Sequence, residues 1–236
     1  MKLFTRKRGY WLGASLVAAS SIFLAAAGVP KDAPGALRQL QGTSGQAMKI
    51  EWNEATGTPA ALIGNLTVPS KHSVPYIAYE LMDRLKNVYG IRDPHKELRI
   101  AEVVTSAEGV SFVRLQHLLF GTPVWGDELI MEIDTRGVVK RLTGTIYPSL
   151  NKQLFNRPMV AAISKQQALQ RAALSSPHQL AAFTDSKPEV SAYYLPTRSG
   201  TPLVYVVTFS GAISHSAAQP IMIHALTGNV ISLQTR

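Results

Sequence analysis

Catalysis by this chain would need a metal site, a nucleophile or a matched acid and base, and each leaves a spacing that can be sought. Six histidines, His72, His95, His117, His178, His215 and His224, are scattered over 236 residues, and none is followed by glutamate. A His-Glu-x-x-His helix to hold zinc is therefore absent. No two of them fall three or four apart on a predicted helix, so any metal site would have to be assembled by the fold. Gly42-Thr43-Ser44-Gly45 is followed by Gln46 where a nucleophile elbow needs glycine, and it reads as a loop. Gly121 and Gly126 have the spacing of a phosphate-binding loop, yet Asp127 and Glu128 stand where Lys and Ser or Thr would hold phosphate and magnesium. Two carboxylates there repel a phosphate. Glu80 and Asp83 lie on one helical face with Arg84 and Lys86 nearby, which is the pattern of a solvated, ion-paired surface. With no cysteine there is also no thiol nucleophile, thiolate metal site, disulfide or lipid-modified cysteine. No residue has the spacing of a catalytic, cofactor-binding or metal-binding group, so the expectation is a non-enzyme that offers surface.

The N-terminus carries Lys2, Arg6, Lys7 and Arg8 without an acid, then an apolar stretch from Trp11 to Leu24, then Ala25, Ala26 and Ala27. That order is a signal peptide, cleaved after Ala27. The stretch is broken by Gly13, Ser15, Ser20 and Ser21 and falls short of the roughly 20 residues that span a bilayer. The expectation is a secreted or periplasmic protein with no integral membrane association after cleavage. Removing residues 1–27 takes four of the 24 basic residues and none of the 15 acids, which reduces the net charge from +9 to +5. Without a clustered run of Lys or Arg, that charge does not point to nucleic acid.

Residues 28–47, rich in Gly, Pro, Gln and Ser, read as a flexible, extended lead-in. Met48, Ile50 and Trp52 alternate with polar residues, which predicts a short strand with one apolar face. Ser73 and Pro75 start a helix, Ile77, Leu81, Leu85 and Val88 share its apolar side, and Gly90 stops it. From Leu98 the period becomes two, with strands at Ile100 to Glu102, Phe112 to Leu119, Leu129 to Asp134 and Val138 to Ile146. Gly109, the span Gly121 to Gly126, and Gly137 separate them, and such short spacings allow only antiparallel hairpins. Asn151 to Arg157 marks a module boundary. Ser164-Lys165-Gln166-Gln167 then forms a capping box, Ala168, Leu169, Ala172 and Ala173 a narrow apolar stripe, and Pro177 a stop. Strands follow at Val190 to Leu195, Leu203 to Phe209, Ile221 to Ala225 and Val230 to Leu233. Ile130 to Val138 parallels Pro220 to Val230, through duplication or through shared hairpin grammar.

Val113-Arg114-Leu115-Gln116-His117-Leu118-Leu119-Phe120-Gly121-Thr122-Pro123-Val124-Trp125-Gly126-Asp127-Glu128-Leu129 resembles the signature of the fungalysin/thermolysin propeptide domain, with its Gly-x-Pro-Val-aromatic-Gly turn between strands. Asp134-Thr135-Arg136-Gly137-Val138-Val139, Leu142-Thr143-Gly144, Gly90-Ile91-Arg92-Asp93-Pro94 and Glu97-Leu98 are similar to its neighbouring segments. Residues 164–236 resemble the PepSY domain that commonly follows, through Tyr205-Val206-Val207 and Thr227-Gly228-Asn229-Val230-Ile231, with His224 where that family shows Asp. The resemblance implies an α+β fold of two cystatin-like modules, each a helix packed on an antiparallel meander sheet. It implies a propeptide-like domain at 48–150, a linker at 151–163 and a PepSY-like domain at 164–236. It also implies a partner, a thermolysin-type metalloprotease whose folding such modules assist and whose cleft they block. The sequence stops at Arg236, about where a protease domain would begin, so the zinc-binding half is expected to be missing.

The leading expectation is thus an exported propeptide-like protein acting on a metalloprotease. The alternatives are a truncated protease precursor and an envelope binding module for another ligand. Partner contact is assigned to Trp125, placed at a hairpin tip, and to Leu233, Gln234, Thr235 and Arg236. Trp125 serves as an anchor or packs onto the helix of its own module, and both readings stay open. Gly121, Pro123, Gly126, Gly137 and Gly228 are read as turn-formers.

Overall fold

The computed structural model describes residues 35–43, 48–175, 188–209 and 220–232. The leader, Pro177 and the segment Leu233 to Arg236 lie outside the described residues.

Part of the expected lead-in is helical, a correction to the extended reading. Helix α1 (Gly35–Thr43) forms because Ala36, Leu37 and Leu40 recur at helical spacing, and it buries Leu37 and Leu40 in the first core. Strands β1 (Lys49–Asn53) and β2 (Thr58–Ile63) follow as a hairpin, with Pro59 inside β2. The alternation expected from Met48 to Trp52 breaks at Trp52. A bulge between Glu51 and Trp52 slips the register, so Met48 and Ile50 pack into the core while Trp52 faces outward.

Local signals place helix α2 (Val74–Tyr89) well. Ser73 is its N-cap residue, proline occupies its first turn, and Gly90 ends it in the left-handed region, its amide donating to the Lys86 carbonyl. Ile77, Leu81, Leu85 and Val88 are buried as their spacing requires. A short turn, α3 (Pro94–Glu97), leads into the meander β3 (Leu98–Thr105), β4 (Ser111–Leu119), β5 (Thr122–Ile133) and β6 (Val139–Thr145). β6 also pairs with β2, giving the antiparallel order β1-β2-β6-β5-β4-β3. Helices α1 and α2 cover one face of this sheet, where Leu62, Leu115, Leu129, Met131 and Leu142 meet Leu81 and Met82.

The second half repeats the plan. After α4 (Leu150–Gln153) comes α5 (Lys165–Ser175), and its capping box is formed: Gln167 N donates to Ser164 Oγ at 3.2 Å, and Ser164 N donates to Gln167 Oε1 at 2.8 Å. Ala168 and Ala172 of α5 pack on β7 (Glu189–Tyr194), β8 (Leu203–Thr208) and β9 (Ile221–His224), and β10 (Val230–Ile231) pairs with β9. Leu150 and Leu154 belong to this second core. β8 is buried on both faces, Tyr205 and Val207 toward α5 and Val204 and Val206 away from it, which is why its sequence is a nearly unbroken apolar run.

The antiparallel expectation holds within each half and fails once, between them. Val124 of β5 pairs in parallel with Tyr194 of β7, so the ten strands among the described residues form one continuous sheet. The chain is a mixed α/β structure built on that large sheet with few helices.

Two turns show the same chemistry. In the β5–β6 turn, Asp134 Oδ1 accepts the amides of Arg136 and Val138, both at 2.9 Å. Burial pushes the Asp134 carboxyl up, but those amides, the Arg136 guanidinium and Lys140 outweigh it and hold it below the ordinary carboxylate range. In the β9–β10 turn, His224 Nδ1 accepts the amides of Leu226 and Thr227 at 3.2 and 3.3 Å. An imidazole acceptor therefore does in the second hairpin what a carboxylate does in the first. Gly137 and Gly228 both adopt positive φ in these turns. Gly137 has a second constraint, because a Cβ on it would lie 2.1 Å from the Ser70 carbonyl oxygen. Gly137→Ala is expected to lower stability by about 3 kcal/mol or more in chemical denaturation. Gly121→Ala, also at positive φ but facing open space, should lose only about 1–2 kcal/mol.

Candidate functional site: a pinned excursion and an open sheet face

β4 and β5 pair regularly except at one place. Gln116 faces Glu128 and Leu118 faces Pro123, so four residues of β5, Val124 to Asp127, stand opposite His117 alone. Gly126 makes this possible with φ of +77°. Three side chains hold the excursion. Gln116 Nε2 donates to the carbonyls of Val124 at 2.9 Å and Asp127 at 3.0 Å, and also to that of His117 at 3.2 Å. His117 Nδ1 donates to Asp127 Oδ2 at 2.9 Å, and the same oxygen accepts the Tyr147 amide at 2.9 Å. Asp127 is 0% exposed, and its Oδ1 is buried without a hydrogen-bond partner in the protein. A buried carboxylate needs its donors, so the pin resists being undone one bond at a time.

By sequence alone His117 is one of six scattered histidines and Asp127 a carboxylate that repels phosphate, and no spacing shows that the two meet. One signal was available. Gln116-His117 puts two consecutive polar residues inside an alternating apolar strand, and both are buried. The pair has no hydroxyl or thiol among its partners, so its chemistry is to position backbone. Among the described residues no group of three or more His, Cys, Asp or Glu is arranged to hold a metal ion.

Trp125 sits in this excursion and not at the hairpin tip, which is Phe120-Gly121. This corrects its expected place. It packs edge-on against Tyr193 of β7, ring centroids 5.2 Å apart, alongside Val204, Val206 and Met222. Trp125 thus joins the two halves, an outcome neither of its two sequence readings contained. Gly121 lies in the β4–β5 turn at positive φ, while Pro123 and Gly126 lie within β5. The span Gly121 to Gly126 is therefore mostly strand, another correction.

The face of the first sheet opposite α1 and α2 is open among the described residues. Register fixes its rows. One row across six strands is Glu51, Ala61, Thr143, Ile130, Arg114 and Glu102. The next is Lys49, Ile63, Arg141, Glu132, Phe112 and Val104. Arg114 reaches Glu102 at 3.3 Å and Glu128 at 3.5 Å, and Arg141 lies 3.7 Å from Glu132. Between these ion pairs, Trp52, Phe112, Ile130 and Val104 are 40–46% exposed. At the joint Tyr193 feels burial first and the carboxylates of Glu128 and Glu189 second, and its hydroxyl is pushed up despite Arg99 and Arg114. The site offers apolar and charged surface on a rigid sheet.

Removing the carboxylate should loosen the joint. Asp127→Ala is expected to lower stability by about 3 kcal/mol in urea denaturation, since it leaves the Tyr147 amide and the His117 imidazole without their acceptor. Asp127→Asn, which keeps one acceptor oxygen, should lose clearly less.

Comparison with known proteins bears on residues in these strands. Residues 96–146, from the end of α3 through β6, match the fungalysin/thermolysin propeptide motif. The chain is also 26% identical over 106 residues to bacillolysin from Bacillus cereus, a match covering 44% of this chain and 19% of bacillolysin. The chain therefore spans about a fifth of the length of that relative. The segment that carries the pinned excursion and most of the open face is similar to a thermolysin-type propeptide.

Proposed function

We propose that this chain is an exported, non-catalytic, propeptide-like protein that binds a thermolysin-type metalloprotease and inhibits it or assists its folding. The observation that carries the reading is the match of residues 96–146 to the propeptide motif, because those strands also supply the exposed Phe112, Ile130 and Val104. A rigid sheet face with apolar groups set between ion pairs suits recognition of another protein surface. The pinned His117 and Asp127 are committed to structure, which favours a binding role over a reaction.

The second half is read as PepSY-like, and the turn chemistry of His224 supports that reading, since imidazole replaces carboxylate without changing the hairpin. Export rests on the basic head and apolar stretch of residues 1–27. Among the described residues no helix is long and apolar enough to cross a membrane. With Trp125 engaged inside the chain, the partner surface is assigned to the open face and to Leu233, Gln234, Thr235 and Arg236.

The test is direct. Purified residues 28–236 are mixed with a thermolysin-type metalloprotease, and both peptide cleavage and the yield of active enzyme after refolding are followed. Inhibition or improved refolding at micromolar concentration is the expected result. Neither effect, at any ratio up to a tenfold excess, would overturn the reading.

A further inference from the structure

Strand β3 is an edge, for among the described residues it pairs with β4 alone. Its far side therefore carries a row of backbone N–H and C=O groups without a neighbouring strand. Natural edges are commonly blunted by charged residues, proline or a bulge, and in β3, Leu-Arg-Ile-Ala-Glu-Val-Val-Thr, the charges and the bulge all lie at or before Glu102, so Val103 to Thr105 carry none of them. Its last three residues are β-branched, and Val103 and Val104 are 42% and 46% exposed on opposite faces. Such a stretch is built for pairing.

We propose that residues 102–105 of β3 receive an extended segment of the metalloprotease partner as an added strand. The proposal rests on the function inferred above and names the contact through which it works. The edge selects the class of occupant, because only another extended backbone satisfies its amides and carbonyls in register. The bulge between Ile100 and Glu102 narrows it further. A bulge bends and twists its strand, so two rigid copies of this edge diverge after a few residues, whereas a pliable segment follows the bend. Side chains then set the sequence that fits. On the open face Val104 stands beside Phe112, so the added strand should place an apolar residue there, and a polar or basic one next to Glu102. On the helix side, Val103 asks for a second apolar residue. A partly unfolded protease supplies extended segments of this kind, which ties the edge to folding assistance.

Amide hydrogen exchange of the full chain, with and without bacillolysin held under refolding conditions, tests this. Binding is measured in parallel for wild type and for the double variant Val103→Lys with Val104→Lys, both at exposed positions. Exchange of those amides among residues 102–105 that point away from β4 should slow at least tenfold in the complex, and the variant, still unfolding in one cooperative transition, should bind at least tenfold more weakly. A complex that forms without protecting these amides, and that the variant forms equally well, overturns the edge proposal and leaves the proposed function standing. No complex with wild type overturns both. Protection that rises with chain concentration in the absence of protease makes a second copy the occupant, and overturns the proposal as stated.

Discussion

The hydrogen bond between His117 and Asp127, with Gln116 beside it, is the contact on which the architecture depends. Four residues of β5 leave the meander at this point, and a strand does not surrender ladder bonds unless other groups take them over. Gln116 takes up two of the carbonyls, and Asp127 is held by the imidazole and the Tyr147 amide. The excursion gains two long-range contacts. Val124 reaches Tyr194 as a parallel bridge, and Trp125 reaches Tyr193. β5 is thus the strand that the two antiparallel sheets have in common, and the pin sits where it passes from one to the other.

The same arrangement explains how the faces are used. Helices α1 and α2 cover one side of the first sheet, and α5 covers one side of the second. The second sheet is buried on its other side as well, around Val204, Val206 and Met222. The corresponding side of the first sheet carries interleaved ion pairs and apolar groups. Exposed pairs of this kind add little stability, on the order of 0–1 kcal/mol each, so the fold does not depend on them. The segment similar to the propeptide motif supplies most of that side.

Much of the fold was legible because its determinants are local. Ser73, Pro75 and Gly90 bound α2, Ser164 and Gln167 cap α5, and alternation located the meander strands, each signal lying within a few residues of its effect. What escaped depends on contacts distant in sequence. Trp52 turns outward because of a register slip set by pairing with β2, and α1 is helical because α2 offers a place to bury Leu37 and Leu40. Trp125 and Val124 are placed by β7, which lies some 70 residues downstream in the numbering. Gly126 was read as a turn, when its positive φ serves an excursion within a strand. At the candidate site only Gln116-His117, out of step with the alternation, announced anything, and periodicity alone could not say that Asp127 was the partner.

Cooperativity of unfolding measures the joint most directly. If the pinned excursion welds the two sheets, scanning calorimetry of residues 28–236 should show one transition whose calorimetric and van't Hoff enthalpies agree. Two resolved transitions, or a van't Hoff enthalpy near half the calorimetric value, would show that the halves melt independently and would contradict the account.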